Sequence, residues 1–440
     1  MRFCGIDVSA RPANQQLCTL HERKGSEGVE LVATFYAPGT IEDVARTIQG
    51  FGRGEAVVGV DAPAGRRLGL LGADAPARAT LGLPEGRYER MRVWCPLMAP
   101  SDHDLGERLA ARTLELIDIP SESRDEASIA AHVAALLPGA RDLGDTGLLA
   151  GPEGARVLLG GHFDTVPAQG NRPGRREGDR VIGLGSSDMK GALAVMIELV
   201  RDGLPFGALF FGREELPFDE SALTPLLARH PLSPELAVMM EPTDNAIHSG
   251  CLGNVNATWT FHGVAAHSAR PWFGDNAITR AAAGVTALSA HEPEPHQFDG
   301  LEFVEVASVT KISGGIAMNV IPGEATAHVN YRYAPGRTPE EAEARLTDLC
   351  AGHGELRIDA HAPSGAVARG PLVDALIAAG DLEVAPKQAW TPVAEFARAG
   401  VAAINFGPGD PPQAHTRGEE ISVPALVRSY RVLEAFAAAL

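Results

Sequence analysis

The pattern of hydrophobic and polar residues changes near residue 105. Before that point it predicts short strands and one helix, with strands at Arg2–Val8, Gln15–Glu22, Val29–Tyr36 and Val57–Asp61 and a helix from Thr40. Residues 62–104 are rich in Gly, Pro, Arg and Ala and have little periodicity. We therefore expect a small α/β appendage followed by a linker at the start of the chain.

From Leu105 onwards, apolar segments alternate with amphipathic segments of helical period, which predicts an α/β sheet with crossover helices. Three apolar strands each end in potential ligands: 157–161 before His162 and Asp164, 208–211 before Glu214 and Glu215, and 237–240 before Glu241. Active sites of open α/β sheets lie at the carboxyl ends of the strands. We therefore expect these side chains to meet at one edge of the sheet.

Composition narrows the classes of function. Of the 440 residues, 45% are hydrophobic and 21% are charged, as in an ordinary globular protein, which argues against a mainly disordered chain. The 38 basic and 56 acidic side chains give a net charge of −18. A surface of that charge repels phosphate backbones and anionic lipids, so we expect no binding to nucleic acid or to membranes.

Targeting and redox signals are also absent from the sequence. Residues 1–12 do not have the pattern of a signal peptide, and the apolar segment Gly191–Val200 contains Glu198 and is too short to span a bilayer. The five cysteines are scattered and support neither a disulfide framework nor a cysteine metal site. These features predict a cytoplasmic protein.

His162 ends a predicted buried strand, and Asp164 follows it by two residues. On an extended backbone two such residues point the same way. The imidazole could then bind a metal ion while the carboxylate accepts its other ring proton. Taken alone, His162 could equally be a histidine that is satisfied within a loop.

Further acids and a second histidine extend the set. Asp188 precedes a predicted helix, where an N-cap or an incomplete dinucleotide-binding loop are alternatives. Glu214 and Glu215 repel each other unless they are solvated or share a cation, and an exposed loop pair is the alternative. Glu241 follows an apolar strand and needs a partner if it is buried, and His415 lies in a loop after a late strand.

Together these residues run in the order His, Asp, Glu-Glu, Glu, His along the chain. Mixed nitrogen and oxygen ligands suit zinc or a similar divalent ion. Two such ions that share one carboxylate would form a site that activates water for hydrolysis. The combination therefore predicts a metal-dependent hydrolase.

Seven motifs in residues 105–440 carry a family resemblance: G-G-H-F-D-T-V-P, S-D-M-K-G, G-R-E-E, M-E-P-T-D-N, A-A-H-S-A-R-P-W-F-G-D-N-A-I, M-N-V-I-P and N-F-G-P-G-D-P-P-Q-A-H-T-R-G-E. This segment resembles the M20 co-catalytic metallopeptidases, and among them the actinobacterial succinyl-diaminopimelate desuccinylases. The resemblance implies a zinc-peptidase-like catalytic domain, a mixed sheet flanked by helices, at 105–251 and 365–440. It also implies an inserted α+β lid and dimerisation domain at 252–364, after an appendage and linker at 1–104.

The resemblance assigns the metal ligands. His162 and Glu241 would hold one divalent ion, and Glu215 and His415 would hold a second. Asp188 would bridge the two ions, which would be zinc, with cobalt as the alternative.

Two catalytic residues follow from the same resemblance. Asp164 would orient His162, and Glu214 would be the general base that takes a proton from the attacking water and passes it to the leaving amine. A cis peptide bond is implied between Asp188 and Met189.

The lid segment is predicted to contain strands at Thr258–Phe261, Val304–Ile312 and Thr326–Tyr333 and helices at Asp275–Leu288 and Pro339–Cys350. The resemblance implies that His267 stabilises the oxyanion of the tetrahedral intermediate by reaching across from the partner subunit of a homodimer. It implies substrate contacts for Asn319 and Arg332, with Arg332 suited to bidentate binding of a carboxylate. A salt bridge at the sheet edge is the alternative for Arg332.

The implied reaction is hydrolysis of the amide bond of N-succinyl-LL-2,6-diaminopimelate to succinate and LL-2,6-diaminopimelate, in lysine biosynthesis. Two departures from the family pattern leave the acyl group open. Cys251 lies near a position where better-known desuccinylases have Arg, and Pro392 replaces the acid of a Thr-Asp or Ser-Asp pair. The alternative is another M20 deacylase or dipeptidase, such as an acetylornithine deacetylase-like enzyme.

The first 104 residues resemble the start of an RNase H-like domain of predicted nuclease type, with Asp7 and Asp61 at the ends of strands. The later helices and acids that such a fold needs are missing before Leu105. We therefore expect a truncated or inactive remnant. The rival hypotheses are a nuclease that acts through Asp7 and Asp61, and a non-catalytic binding module.

Overall fold

The computed structural model describes residues 101–440 and, before them, the strands β1 (Arg2–Ile6), β2 (Leu17–Gly25), β3 (Gly28–Phe35) and β4 (Ala56–Val57). These strands form a sheet of order β3-β2-β1-β4, in which β1 is antiparallel to β2 and parallel to β4. The first three overlap the strands predicted from the sequence. The helix predicted from Thr40, together with Asp7 and Asp61, lies outside the described residues, so the RNase H-like resemblance stays a prediction.

Residues 101–440 alternate between helices and strands. The helices are α1 (Asp102–Asp118), α2 (Ala127–Leu136), α3 (Gly191–Arg201), α4 (Leu223–Arg229), α5 (Ala277–Ser289), α6 (Pro339–Cys350), α7 (Pro371–Gly380), α8 (Val393–Arg398) and α9 (Val423–Ala437). The strands are β5 (Arg141–Gly144), β6 (Gly147–Ala150), β7 (Val157–His162), β8 (Arg175–Glu177), β9 (Arg180–Ile182), β10 (Gly207–Phe211), β11 (Leu236–Met239), β12 (Ile247–Ser249), β13 (Gly253–His262), β14 (Ala266–His267), β15 (Glu294–Phe298), β16 (Leu301–Gly314), β17 (Val320–Ile321), β18 (Glu324–Tyr333), β19 (Glu355–Ala362), β20 (Val384–Pro386), β21 (Ala403–Asn405) and β22 (Glu420–Ser422).

A mixed sheet of order β20-β12-β21-β11-β7-β10-β6-β5 carries the candidate site. Its central strands β21, β11, β7 and β10 are parallel to one another, whereas β6 runs antiparallel to β10 and β12 antiparallel to β21. Every residue of β7, β10 and β11 is buried, as expected for parallel strands with both faces covered. The predicted α/β fold with a mixed sheet flanked by helices is confirmed.

Side chains of the sheet alternate between two hydrophobic cores. Ala208 and Phe210 pack in the core that contains α1, α3 and α9. Leu209 and Phe211 point the other way, into the core that contains α4 and α8. Helices therefore cover both faces, and the strand ends are left as the place where polar side chains can gather.

An antiparallel sheet of order β15-β16-β18-β13-β19 forms an inserted body. One face of β13 and β18 carries Trp259, Phe261 and Val329, which pack against α5 and α6. The chain enters and leaves this body side by side, because the Cys251 amide donates to the Gly365 carbonyl (3.2 Å) and the Gly365 amide donates to the Cys251 carbonyl (3.1 Å). Each strand and helix predicted for the lid overlaps one found in the structure.

Within the described residues, no helix has both the length and the apolar character that crossing a bilayer requires.

Gly407 lies just beyond β21, against the backbone that follows β11. A Cβ atom added at Gly407 would lie 2.3 Å from the carbonyl oxygen of Met240 and 2.6 Å from that of Glu241. Only glycine permits the two segments to approach this closely.

We expect Gly407→Ala to lower the free energy of unfolding by about 1–3 kcal/mol or more, because backbone carbonyls cannot rotate away from the new methyl group. The midpoint of urea unfolding measures this. Gly418→Ala is the matched control, since a Cβ there meets no atom within 4 Å. Equal midpoints for the two variants would contradict the proposed close approach.

Candidate metal centre

His162 is the last residue of β7 and is almost fully buried. Its Nδ1 lies 2.9 Å from the main-chain carbonyl oxygen of Asp164, and a carbonyl oxygen can only accept, so Nδ1 carries the hydrogen. The lone pair of Nε2 is thereby left for a ligand bond. Nε2 lies 3.2 Å from Oδ1 of Asp188 and 3.9 Å from Oε1 of Glu241.

The buried Asp164 carboxylate organises the loop that follows β10. Its Oδ1 accepts a hydrogen bond from the amide of Glu214 (3.0 Å), and its Oδ2 accepts from the amide of Glu215 (3.1 Å) and the hydroxyl of Ser123 (2.8 Å). Oδ1 also lies 3.5 Å from Nδ1 of His162. Asp164 therefore flanks His162 and also holds the backbone of the Glu214–Glu215 pair, a second link that the sequence argument does not include.

Asp188 faces both histidines. Its Oδ1 lies 3.2 Å from His162 Nε2, and its Oδ2 lies 3.5 Å from His415 Nε2. The Asp188–Met189 peptide bond is cis, as the family resemblance implies. The N-cap alternative is not realised, since the residue before α3 is Lys190.

His415 lies in the loop between β21 and β22, with 51% of its side chain exposed. Its Nε2 lies 3.0 Å from Oε1 of Glu215. Its backbone has φ of +62°, a region that non-glycine residues rarely adopt and that recurs at functional sites. The side-chain amide of Gln169 donates to the His415 carbonyl (3.1 Å) and helps to hold the loop.

The predicted ligands form overlapping groups. Within each group, one ligand atom per residue lies within 4.8 Å of the others, and the groups are His162–Asp188–Glu241, Asp188–Glu215–His415 and His162–Glu214–Glu215. The first two groups share Asp188. The structure thus brings the predicted metal ligands and Glu214 to one edge of the sheet.

Burial and neighbouring carboxylates raise the pKa values of two acids of this cluster, Glu214 and Glu241. Burial by the surrounding protein, and then the charge of Glu241, raises the pKa of Glu214 well above its ordinary value. Burial, and then Asp188, raises the pKa of Glu241 to about 7. Oε1 of Glu241 is buried and has no hydrogen-bond partner among the described residues. A buried carboxylate oxygen that has no hydrogen-bond partner and lies near other carboxylates is stabilised by a bound cation. The His and carboxylate ligands of this cluster suit an ion of the zinc type.

The three predicted substrate contacts lie in the inserted body. His267 ends β14, and the neighbouring Ser268 amide donates to the carbonyl of Asn319 (2.9 Å), which places His267 and Asn319 close together. Arg332 is half-buried in β18 and donates through Nε to Oδ1 of Asn330 (2.9 Å). In the part of the chain that the structure describes, none of the three is hydrogen-bonded to the metal-ligand cluster.

The salt-bridge alternative for Arg332 is not realised. No carboxylate of residues 101–440 forms an ion pair with its guanidinium, and burial lowers its pKa.

Glu419 is a residue to which the sequence assigned no role. Its carboxylate accepts hydrogen bonds from the amides of Gly185 (2.8 Å), Ser187 (2.9 Å) and Asp188 (2.9 Å). These partners are 231 to 234 residues away along the chain. No local pattern could have found the contact, because only the fold brings the two loops together.

Comparisons with known proteins show the family to which the chain belongs. Residues 250–356 match the peptidase dimerisation domain of M20 enzymes. A succinyl-diaminopimelate desuccinylase of Corynebacterium glutamicum is 33% identical over 354 residues, covering 74% of this chain and 94% of the relative. A Mycobacterium tuberculosis relative with the provisional name succinyl-diaminopimelate desuccinylase DapE is 36% identical over 343 residues, covering 74% and 96%. An N-acetyl-L-citrulline deacetylase of Xanthomonas campestris is 30% identical over 294 residues, covering 62% and 79%.

Solved structures share the fold. Aminopeptidase PepT from Bacillus cereus superposes with a TM-score of 0.60 at 19% identity, covering 76% of this chain and 99% of that chain. The Bacillus subtilis YXEP protein, described as a dinuclear metal-binding peptidase of the M20 family, superposes with a TM-score of 0.53 at 16% identity, covering 77% and 98%.

Relatives more than 30% identical are matched over nearly their whole length, and the predicted ligands meet at the predicted edge of the sheet. The chain therefore belongs to the M20 family of metallopeptidases and is an amidohydrolase of that family.

Proposed function

We propose that this amidohydrolase removes the succinyl group from N-succinyl-LL-2,6-diaminopimelate, giving succinate and LL-2,6-diaminopimelate in the diaminopimelate route to lysine. The observation that carries the chemistry is the carboxylate of Asp188, whose two oxygens face His162 and His415. The choice of substrate is supported by the two relatives named for this reaction, which the chain matches over more than nine-tenths of their length.

The ligand cluster is proposed to hold two divalent ions, zinc or, alternatively, cobalt. His162 and Glu241 would hold one ion, Glu215 and His415 the other, and Asp188 both. When bound, the ions supply Lewis-acid polarisation of the scissile carbonyl and make the attacking water more acidic. The dinuclear Bacillus subtilis protein of the same fold supports this assignment.

Glu214 is proposed to carry the proton. Its amide is held by Asp164, and burial and the charge of Glu241 raise its pKa, which favours a group that takes a proton and later gives it up. Glu214 takes a proton from water as the water oxygen bonds to the amide carbon and an electron pair moves onto the carbonyl oxygen. When the C–N bond breaks, Glu214 gives that proton to the leaving nitrogen, so that the amide and water become a carboxylic acid and an amine.

Arg332 is proposed to bind the free carboxylate of the succinyl group. A half-buried guanidinium with no ion-paired carboxylate among the described residues attracts an anionic ligand, and its fork matches a carboxylate in bidentate geometry. Asn319 is assigned a second substrate contact. His267 is assigned to the oxyanion and would act from the partner subunit.

A deacetylase is the second candidate, supported by the N-acetyl-L-citrulline deacetylase relative. The two departures from the family pattern bear on this choice. Cys251 is fully buried, with its Sγ 3.6 Å from the carbonyl oxygen of Thr391, and so offers no positive charge in place of an arginine. Pro392 is the N-cap residue of α8 and has no carboxylate. An acetyl group is uncharged, so its binding would need neither the positive charge of an arginine nor the negative charge of a carboxylate at these positions.

Glu214→Gln is expected to lower kcat by about 10²- to 10⁴-fold, because an amide cannot accept and return the proton. The bound metal should remain at two ions per chain, measured by mass spectrometry of the purified protein. Glu235→Gln is the control, since the exposed Glu235 carboxylate pairs only with Arg156 among the described residues. A kcat within threefold of wild type would refute the role of Glu214, and loss of metal would instead make it a ligand.

The substrate assignment predicts a preference that depends on Arg332. Wild-type protein should hydrolyse N-succinyl-LL-2,6-diaminopimelate with a higher kcat/KM than N-acetylornithine or N-acetylcitrulline. Arg332→Met should lower the succinyl value by about 10- to 100-fold, through loss of a charge-assisted contact, and leave the acetyl values nearly unchanged.

Arg357→Met is the control for this assay, since Arg357 is exposed on β19, another strand of the same sheet. Faster hydrolysis of the acetyl substrates by wild-type protein would favour the deacetylase. Equal losses on all substrates would exclude Arg332 as the succinyl contact.

A homodimer through the inserted body is also proposed. Residues 306–314 of β16 pair with β18 on one side, whereas β15 pairs only with residues 301–305, so the strand presents an open edge among the described residues. Nearby Ile312, Ile316 and Met318 are exposed by 57%, 88% and 104%. An open apolar edge is suited to antiparallel pairing with the same edge of a second copy about a twofold axis.

The double variant Ile312→Glu/Ile316→Glu is expected to sediment as a monomer of 46.2 kDa where wild type sediments at twice that mass, because like charges would meet across the axis. Val384→Glu is the matched control, an apolar-to-acid change at an exposed residue of the other sheet. A double variant that stays dimeric would exclude this edge as the interface.

A further inference from the structure

Glu419 stands at the junction of the two loops that carry Asp188 and His415. It immediately precedes β22, which pairs with β9, and β9 leads into the loop before Asp188. The Glu419 side chain is 1% exposed. It does not belong to any of the groups whose atoms could hold a metal ion in the described part of the chain.

The hydrogen bonds that the Glu419 side chain accepts all come from one loop. Its Oε1 accepts from the amides of Ser187 and Asp188, both at 2.9 Å, and its Oε2 accepts from the amide of Gly185 at 2.8 Å. The main-chain carbonyl of Glu419 also accepts from the amide of Gly183 at 2.9 Å. One residue thus fixes four peptide groups of the segment that ends at Asp188.

These bonds have a geometric consequence for Asp188. An amide hydrogen bond fixes the orientation of its peptide plane, and the direction of the Asp188 side chain follows from the planes on either side of it. The side chain must direct one oxygen towards His162 and the other towards His415. Glu419 is four residues after His415, so it ties the loop of one ligand to the backbone of the shared one.

Burial of a carboxylate at position 419 lowers the free energy of unfolding unless other interactions compensate for it. The Glu419 carboxylate is buried, has no ion-paired Lys or Arg among residues 101–440, and lies beside the negatively charged Asp188. A buried negative charge of this kind is retained only where its hydrogen bonds compensate for the lost hydration. The amide donors of the loop before Asp188 provide that compensation.

We infer that Glu419 is a positioning residue for the metal centre, which sets the orientation of Asp188 and couples it to the His415 loop. The inference rests on the metal centre proposed above. It predicts that loss of the Glu419 hydrogen bonds weakens binding of both ions, since Asp188 is shared between them.

The test compares Glu419→Gln with Glu420→Gln. Both substitutions remove one negative charge at adjacent positions, so long-range electrostatics is nearly matched. A glutamine at 419 keeps one acceptor oxygen but turns an NH₂ group towards an amide N–H, whereas Glu420 is a surface residue that pairs with Arg180. Calorimetric titration of Zn²⁺ into the metal-free full-length protein gives the affinities, and the visible spectrum of Co²⁺-loaded protein reports the geometry of the ligands.

Glu419→Gln is expected to raise the dissociation constants for Zn²⁺ by about 10- to 100-fold and to change the Co²⁺ spectrum, as loss of a hydrogen bond to a metal ligand does elsewhere. With Zn²⁺ saturating, kcat should fall while KM changes little. Glu420→Gln should match wild type in every measurement. Zn²⁺ affinities within threefold of wild type for Glu419→Gln, with an unchanged Co²⁺ spectrum, would overturn the inference.

Glu419→Asp serves as the second variant if the glutamine variant does not fold. It keeps the charge but is one methylene shorter and cannot reach all three amides, so at least a tenfold loss of Zn²⁺ affinity is expected, and wild-type affinity would overturn the inference. If the wild-type protein binds fewer than two ions, the proposed metal centre itself is refuted. If the wild-type protein binds two ions and the variant binds them equally well, only the role of Glu419 is refuted.

Discussion

The site depends on one electrostatic constraint: several carboxylates converge at the carboxyl edge of the central parallel strands, where water is largely excluded. Like charges in such a place repel one another and raise each other's pKa values, as Glu214 and Glu241 show. Two histidines are interleaved with the acids, and a buried oxygen of Glu241 is left without a hydrogen-bond partner among the described residues. A set of side chains with this charge is stable when cations lie among them, which is the reason that the fold and the metal chemistry belong together.

Backbone amides hold two loops of the site through buried carboxylates. Asp164 binds the amides of Glu214 and Glu215, and Glu419 binds three amides that lead up to Asp188. Neither carboxylate forms an ion pair with a Lys or Arg of residues 101–440. Amide dipoles stabilise a buried anion without adding a full positive charge, so the negative potential of the ligand cluster is preserved for metal ions.

The residues proposed for hydrolysis and those proposed for substrate recognition lie on different parts of the fold. The proposed ligands and Glu214 extend from the ends of a buried parallel sheet, whose packing on both faces leaves little freedom for its strand ends. Arg332 and His267 lie on the inserted body, which joins the first sheet through the paired strands at Cys251 and Gly365. A rigid support suits groups that must hold ions at fixed distances, whereas a separate body can vary with the acyl group.

Seven motifs of the sequence carried the family resemblance, and its apolar runs determined the α/β class and the residues that meet at the sheet edge. The runs could do so because a buried parallel strand needs a continuous apolar run, and the residues just after such runs share the same end of the sheet. Only the tertiary structure decided which atoms face one another: that Nδ1 of His162 donates to the main-chain carbonyl of Asp164, that each oxygen of Asp188 faces a different histidine, and that Glu419 binds the loop before Asp188. The hydrogen bond between Glu419 and Asp188 joins residues 231 positions apart. The geometry of all these contacts follows from how the whole sheet and its helices pack rather than from any local pattern.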